Sequence, residues 1–291
     1  MNTKLMKYLC NLNQADLKTV LHNFLLSNYE KVINTNEYLI AEGTLPICLV
    51  AHLDTVFKQT PHEIFYDKEQ QVMWSPEGLG ADDRAGVYAI LSIVNEGYKP
   101  SIVFTTDEEI GAFGALKLVE DYPECPFPNL KAIIELDRRG EKDCVFYECD
   151  NPDFEAYIQQ FGFIPNIGSF SDISIIAPEW GVAAVNLSVG YIDEHSFNER
   201  LYVKHLETTI ERVKAILNKS ISMLNYAYIP LEITFSMNCA ICQIPLNISN
   251  YTNVKVQGSM FHVCNKCHET YYKPYELTPE SGNGKKTKKR K

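Results

Sequence analysis

Five residues of types that ligate metal ions are strung along the chain: His52, Asp83, Glu109, Asp137 and His195. Two more acids, Asp54 and Glu108, stand beside them. Imidazoles mixed with carboxylates suit zinc, and also manganese or cobalt. Two divalent cations would bring four positive charges against the three negative ones of Asp83, Glu109 and Asp137. The surplus would pull the pKa of a bridging water, and so its hydroxide form, toward neutrality. Glu108 adjoins a ligand without being needed as one, so it is placed to accept that proton and pass it to a leaving amine. Asp54 lies two positions past His52, on the same side of an extended strand. There it can hydrogen-bond the far imidazole nitrogen and fix its tautomer. The chemistry these residues support together is metal-assisted hydrolysis of an amide.

Such residues work together only if the fold gathers them. Residues 45–54, "LPICLVAHLD", read as an apolar strand that stops at His52 and Asp54. "SIVFTTDEE" and "LKAIIELD" repeat the pattern, an apolar strand ending in acids. Between and around them lie helical segments: 3–28, "DRAGVYAILSIVNEG", "GAFGALKLVEDY", "DFEAYIQQFG" and 203–224. "YEKVINTNEYLIAEG" reads as two short strands, "CVFYEC" follows Asp137, and "GVAAVNLS" is a further strand after a loop. Alternating strands and helices predict an α/β fold, a mostly parallel mixed sheet with helices on both faces. Ligands bind such sheets at the carboxyl ends of the strands. Three strands ending in His52/Asp54, Asp107–Glu109 and Asp137 at that edge, with the loops "GLGADDRAG" and "DEHSFNE", therefore outline a site.

Taken in order, "AHLDTV", "GLGADDRAG", "TTDEEIG", "ELD" and "DEHSFNE" resemble blocks of the co-catalytic zinc exopeptidases, the group of peptidase T-like tripeptidases and single-domain leucyl-type aminopeptidases. The resemblance covers about residues 45–203. It implies two active-site metals, His52 and Asp137 on one, Glu109 and His195 on the other, with Asp83 as the bridge and Asp82 as the alternative. It implies Glu108 as general base and Asp54 as the orienting carboxylate. In "FSDISIIAPEW" the family has a histidine after the aspartate; here Ile173 stands there, which puts a binding role for Asp172 in doubt. Asp137 and His195 are separated by only 57 residues, too few for the lid domain of the dipeptidase and tripeptidase relatives. A compact, lidless aminopeptidase-like hydrolase is the expectation, with a peptide or small amide as substrate. A deacylase on the same metal pair is the alternative. His22, His62 and His205 match no block and read as surface or core histidines.

Nearer the C-terminus, "CAIC" (239–242) and "CNKC" (264–267) are 21 residues apart. Two C-x-x-C pairs at that interval read as a closed four-thiolate zinc site, Cys239, Cys242, Cys264 and Cys267, on a β-rich zinc ribbon. His262 or His268 is the alternative for one thiol. The ribbon resembles no part of the peptidase family. The sequence thus divides into a catalytic domain over 1–226, a zinc ribbon over 230–275 and a basic, disordered tail over 276–291.

Composition narrows the function classes. The 291 residues carry a formal charge of −10, although "KKTKKRK" at the end holds six basic residues. Setting those six aside leaves −16 for residues 1–284. So acidic a body is a poor general binder of nucleic acid, and only the tail offers a weak site for nucleic acid or an acidic partner. That opens a separate reading, a binding module built on a hydrolase scaffold; retention of every expected ligand argues against it. No run of about 18 apolar residues is present, so no membrane span is expected. The other five cysteines are scattered as in a reduced protein, and the start lacks an apolar secretory core, so the expected compartment is the cytoplasm.

Overall fold

The computed structural model describes residues 1–219, 226–231, 238–244, 246, 251–256 and 259–271. The chain divides into two units, Met1–Leu231 and Glu232–Lys291. The tail expected over 276–291 lies outside the described residues, as does the 220–224 end of the predicted helix 203–224.

The first unit opens with α1 (Thr3–Cys10) and α2 (Gln14–Leu26). The periodicity predicts one helix over 3–28, but the Asn13 side chain accepts from the Asp16 N–H at 2.9 Å and caps a second start. β1 (Val32–Asn34), β2 (Tyr38–Ala41) and β3 (Leu45–His52) follow, then a hairpin of β4 (Phe65–Asp67) and β5 (Val72–Trp74). Next come α3 (Ala81–Asn95), β6 (Pro100–Thr105), α4 (Phe113–Asp121), β7 (Ala132–Arg138), β8 (Asp143–Val145), α5 (Pro152–Gln159) and β9 (Ile164–Pro165). The unit continues through α6 (Ile173–Trp180), β10 (Ala184–Ser188), β11 (Tyr191–Ile192), β12 (Arg200–Tyr202) and α7 (Val203–Asn218). α6 occupies a stretch that reads as loop in the sequence.

The main sheet runs β1-β2-β6-β3-β7-β10-β8-β9. Its centre, β6-β3-β7-β10, is parallel, while β2 and β8 join it antiparallel, as expected of a mostly parallel mixed sheet. Alternate residues feed two cores. Ile47, Leu49 and Ala51 of β3 pack with residues of α1, α2, α3, α5 and α7, whereas Cys48 and Val50 pack with those of α4 and α6. Burial on both faces is why these strands read as continuous apolar runs. Because the four central strands are parallel, His52, Thr105, Asp137 and Ser188 reach the same edge. A second, antiparallel sheet, β11-β12-β5-β4, was not legible in the sequence; its β11–β12 connection carries His195.

In the second unit, β13 (Tyr251–Val256) pairs antiparallel with β14 (Ser259–Cys264), which runs into α8 (Asn265–Tyr271). Among the described residues, no helix is long and apolar enough to cross a membrane.

Candidate metal centre

His52 ends β3 with its ring fully buried. Its Nδ1 lies 3.2 Å from Asp54 Oδ1, and its Nε2 faces Asp82 Oδ1 at 3.0 Å and Asp137 Oδ1 at 3.4 Å. The two Asp54 oxygens also accept the backbone N–H groups of Glu108 and Glu109, each at 3.0 Å. Asp54 therefore does more than orient one imidazole: it ties the end of β3 to the turn after β6. That turn carries Asp107 in the left-handed region, φ 59°, where its carboxylate and N–H are both held by the Gln14 side chain. Across the site, His195 Nε2 lies 2.9 Å from Glu109 Oε2 and 3.2 Å from Asp82 Oδ2.

The carboxylate between the two histidines is thus that of Asp82, one oxygen toward each, and not that of Asp83. The place between the histidines, expected of Asp83 with Asp82 as the alternative, is held here by Asp82. Both residues open α3 with non-helical backbone angles, so their side chains part. Asp83 turns back to accept from Gly86 N–H at 2.9 Å, and its Oδ2 is buried without a hydrogen bond. One of its carboxylate oxygens still lies within 4.8 Å of ligand atoms of His52 and Asp137. Two adjacent acids in "GADD" cannot be told apart by type; the path of the backbone separates them.

That path is set by Glu199, which the sequence reading passed over although it closes the "DEHSFNE" block. Its buried carboxylate accepts from Gly80 N–H at 2.6 Å and Asp82 N–H at 3.0 Å. Gly80 sits at φ 67°, a conformation that suits glycine. Further residues surround Asp137. Tyr191 donates its hydroxyl to Asp137 Oδ1 at 3.0 Å, Ser171 donates to Oδ2 at 3.3 Å, and Asn186 grips the Asp137 backbone on both sides. Asp172, in doubt from the sequence, is buried beside this group and accepts from Thr105 Oγ1. The Ser171 hydroxyl is shared with Glu135, whose carboxyl pKa burial raises well above its ordinary value. No local motif announces these partners of Asp137, because they come from four strands and the loop before α6.

The charge balance is one-sided. Burial raises Glu108 to about 8 and Glu109 to about 7, with the charges of Asp137 and Asp82, respectively, pushing the same way. Burial and Asp82 lift Asp137 to about 6. Burial alone would lower His52, but Asp137, Asp54 and Asp82 outweigh it and raise it well above its ordinary value. Arg84, the buried cation nearby, spends its guanidinium on the carbonyls of Leu53, Asp54 and Leu12. A site so rich in anions invites cations. The residues fit them: a tetrahedral zinc with bonds of about 2.0–2.1 Å spaces its ligands about 3.3 Å apart. The imidazole–carboxylate approaches here span 2.9–3.4 Å. Glu109 Oε1 and Asp83 Oδ2 are buried without hydrogen-bond partners, open to a cation. Geometrically there are two half-sites, His52 with Asp137 and His195 with Glu109, sharing Asp82.

No protein-family model matches the sequence, and no curated protein does. Solved structures do. Aminopeptidase PepT from Bacillus cereus superposes with a TM-score of 0.59 at 17% identity, over 74% of this chain and 96% of that one. A tripeptidase from Staphylococcus aureus gives 0.61 at 16%, over 73% and 95%. An aminopeptidase from the archaeon Desulfurococcus kamchatkensis gives 0.58 at 14%, over 75% and 94%. The chain has the fold of these peptidases. Within that fold the expected residues His52, Asp54, Glu108, Glu109 and Asp137 stand at one strand edge, with His195 facing them from the β11–β12 connection and Asp82 between the histidines. In the second unit, Cys239, Cys242, Cys264 and Cys267 gather separately, their Sγ atoms within 4.8 Å of one another.

Proposed function

We propose that the chain is a metal-dependent hydrolase that removes N-terminal residues from peptides, with two divalent cations, zinc by preference, held by His52, Asp82, Glu109, Asp137 and His195. The observation that carries this reading is the Asp82 carboxylate lying between two histidine–carboxylate pairs. Bound there, the cations would supply Lewis acidity, lowering the pKa of water and polarising an amide carbonyl. The protein's own part is positional. Asp54 holds His52 and, through two backbone N–H groups, the Glu108–Glu109 turn in one frame. Glu108, which accepts no metal in this scheme, takes the proton of the attacking water and returns it to the departing amine. Tyr191 and Ser171 keep the Asp137 carboxylate aimed.

A cavity of about 320 Å³ is walled by Tyr147, Phe170, Ile173 and Tyr228, with Glu148 and Ser174 among its polar lining. The Tyr147 hydroxyl accepts from Asn186 Nδ2 at 3.2 Å, and the same Nδ2 reaches the Asp137 carbonyl at 3.2 Å. Such a hollow suits an apolar or aromatic side chain on the residue released. Its size is at the low end for a ligand pocket, in keeping with one side chain.

The test is a panel of aminoacyl-anilides, N-blocked peptides and N-acylated amino acids, run on the metal-loaded full chain. Turnover that requires a free α-amine and favours leucine- or phenylalanine-type residues is expected. Preference for acylated substrates would make the enzyme a deacylase and overturn the aminopeptidase assignment.

A further inference from the structure

The four gathered thiols belong to no part of the hydrolase centre, and their surroundings show what they do. Among the described residues of the second unit, the buried cluster is Cys239, Leu246, Val263, Cys264 and Cys267, with Tyr251 and Val254 packed on it. Among the described residues, Leu246 and Val263 are the only aliphatic side chains fully buried in this cluster, too few by themselves to hold a hairpin and a helix together. Units this small need a staple. A disulfide is not that staple, since all four thiols are free.

We infer that Cys239, Cys242, Cys264 and Cys267 bind one zinc ion, which takes the place of a hydrophobic core in this unit. A tetrahedral zinc with Zn–S bonds of about 2.3 Å sets its sulfurs about 3.8 Å apart. Cys242 Sγ and Cys264 Sγ are 3.7 Å apart, and all four sulfurs fall within 4.8 Å. That spacing fits one ion; an iron–sulfur cluster would hold its thiolates around several metal atoms and spread them wider. The backbone is already shaped for thiolates. Ile241 N–H and Cys264 N–H point at Cys239 Sγ, at 3.5 and 3.3 Å, and Cys267 N–H at Cys264 Sγ, at 3.4 Å. Each such bond stabilises a charged sulfur. The first knuckle closes through Gln243 N–H to the Cys239 carbonyl and is tied to β14 by Ala240 N–H to the His262 carbonyl. His262 Nδ1 meets Asn253 Oδ1 at 2.7 Å across the hairpin, and neither His262 nor His268 belongs to the gathered group of ligand atoms. The set is therefore four sulfurs. Binding turns four thiols into thiolates, forms four Zn–S bonds and releases the four protons to solvent.

Cobalt substitution of the full chain tests this independently of the hydrolase site. Cobalt bound by four thiolates shows an intense near-ultraviolet charge-transfer band, which nitrogen and oxygen ligands do not produce. One equivalent of such cobalt is expected, displaced by one equivalent of zinc, with the band weakened or lost in Cys242→Ser and in Cys267→Ser and kept in full in Cys125→Ser. Cys242 is exposed, so its replacement disturbs packing least. Metal analysis of the purified chain should find zinc that survives mild chelation. A missing band, a band unchanged in Cys242→Ser, or iron in place of zinc would overturn the inference. None of these results depends on whether the first unit cleaves peptides.

Discussion

Glu199 offers the sharpest test of how the centre is held, because it touches no substrate and, in the proposed scheme, no metal. Its two carboxylate oxygens each accept one backbone N–H, from Gly80 and from Asp82. In Glu199→Gln one oxygen remains and the other position becomes an NH2 group, which faces an N–H donor. Burial raises Glu199 to about 7, so at a pH well above that one charge-assisted hydrogen bond is lost, about 1.5–3 kcal/mol. For a unit the size of Met1–Leu231 that corresponds to a fall in Tm of roughly 3–12 °C, at about 2–4 °C per kcal/mol. The consequence at the site is larger than the loss of stability. The freed strand-to-helix junction no longer presents Asp82 squarely between His52 and His195, and partners of this kind typically cost about 10–100-fold in metal affinity. Thermal unfolding of the metal-free protein measures the first quantity and a competitive chelator titration the second. Activity should return to near the parent value at saturating metal, since the variant weakens binding and leaves the reacting groups in place. Unchanged metal affinity with unchanged Tm would refute the positioning role. Loss of turnover that excess metal cannot restore would assign Glu199 a part in the reaction itself.

Other outcomes separate the remaining roles. Glu108→Gln should keep its metals by mass analysis and lose turnover by about 10²–10⁴-fold; near-parent turnover would remove it as the base. Asp82→Asn should abolish binding at both half-sites, whereas Asp83→Asn, which preserves the oxygen facing Gly86 N–H, should cost at most about 10–100-fold in affinity. Equal losses would return the bridge to either aspartate. Without metal, Glu108 and Glu109 are raised by burial to about 8 and about 7, so both hold much of their protons at pH 7. Cations favour the charged carboxylates, so loading metal should release protons and affinity should fall as pH drops. Calorimetry in buffers of different ionisation enthalpy measures the release, and none at pH 7 would contradict it.

Electrostatics gives the site its character as much as its ligands do. A buried guanidinium stands close by, yet Arg84 is committed to the backbone carbonyls of Leu53, Asp54 and Leu12 and offers Asp82 or Asp137 no direct ion pair. It fastens the loop after β3 to the α1–α2 connection. The carboxylates are left to be neutralised by what binds.

The local residue pattern determined the layers. Apolar runs buried on both faces, alternating with helical stretches, admit few architectures other than a parallel sheet between helices, and strand ends of such a sheet share an edge. So His52, Asp54, Glu108, Glu109 and Asp137 could be placed together before any coordinates, and the two C-x-x-C pairs could be matched by spacing alone. Tertiary structure decided the rest. Asp82 and Asp83 are identical in type and adjacent, and only the grip of Glu199 on the backbone, from 117 residues away, selects which one faces the histidines. His195 arrives on a small antiparallel sheet whose strands of two or three residues are too short to show a period. The supports of Asp137 come from Ser171, Asn186 and Tyr191, ordinary polar residues that gain meaning only by proximity. Periodicity along a chain records which face is buried; it carries no information about which distant donor meets which acceptor, and that pairing is what turns a row of acids into a metal centre.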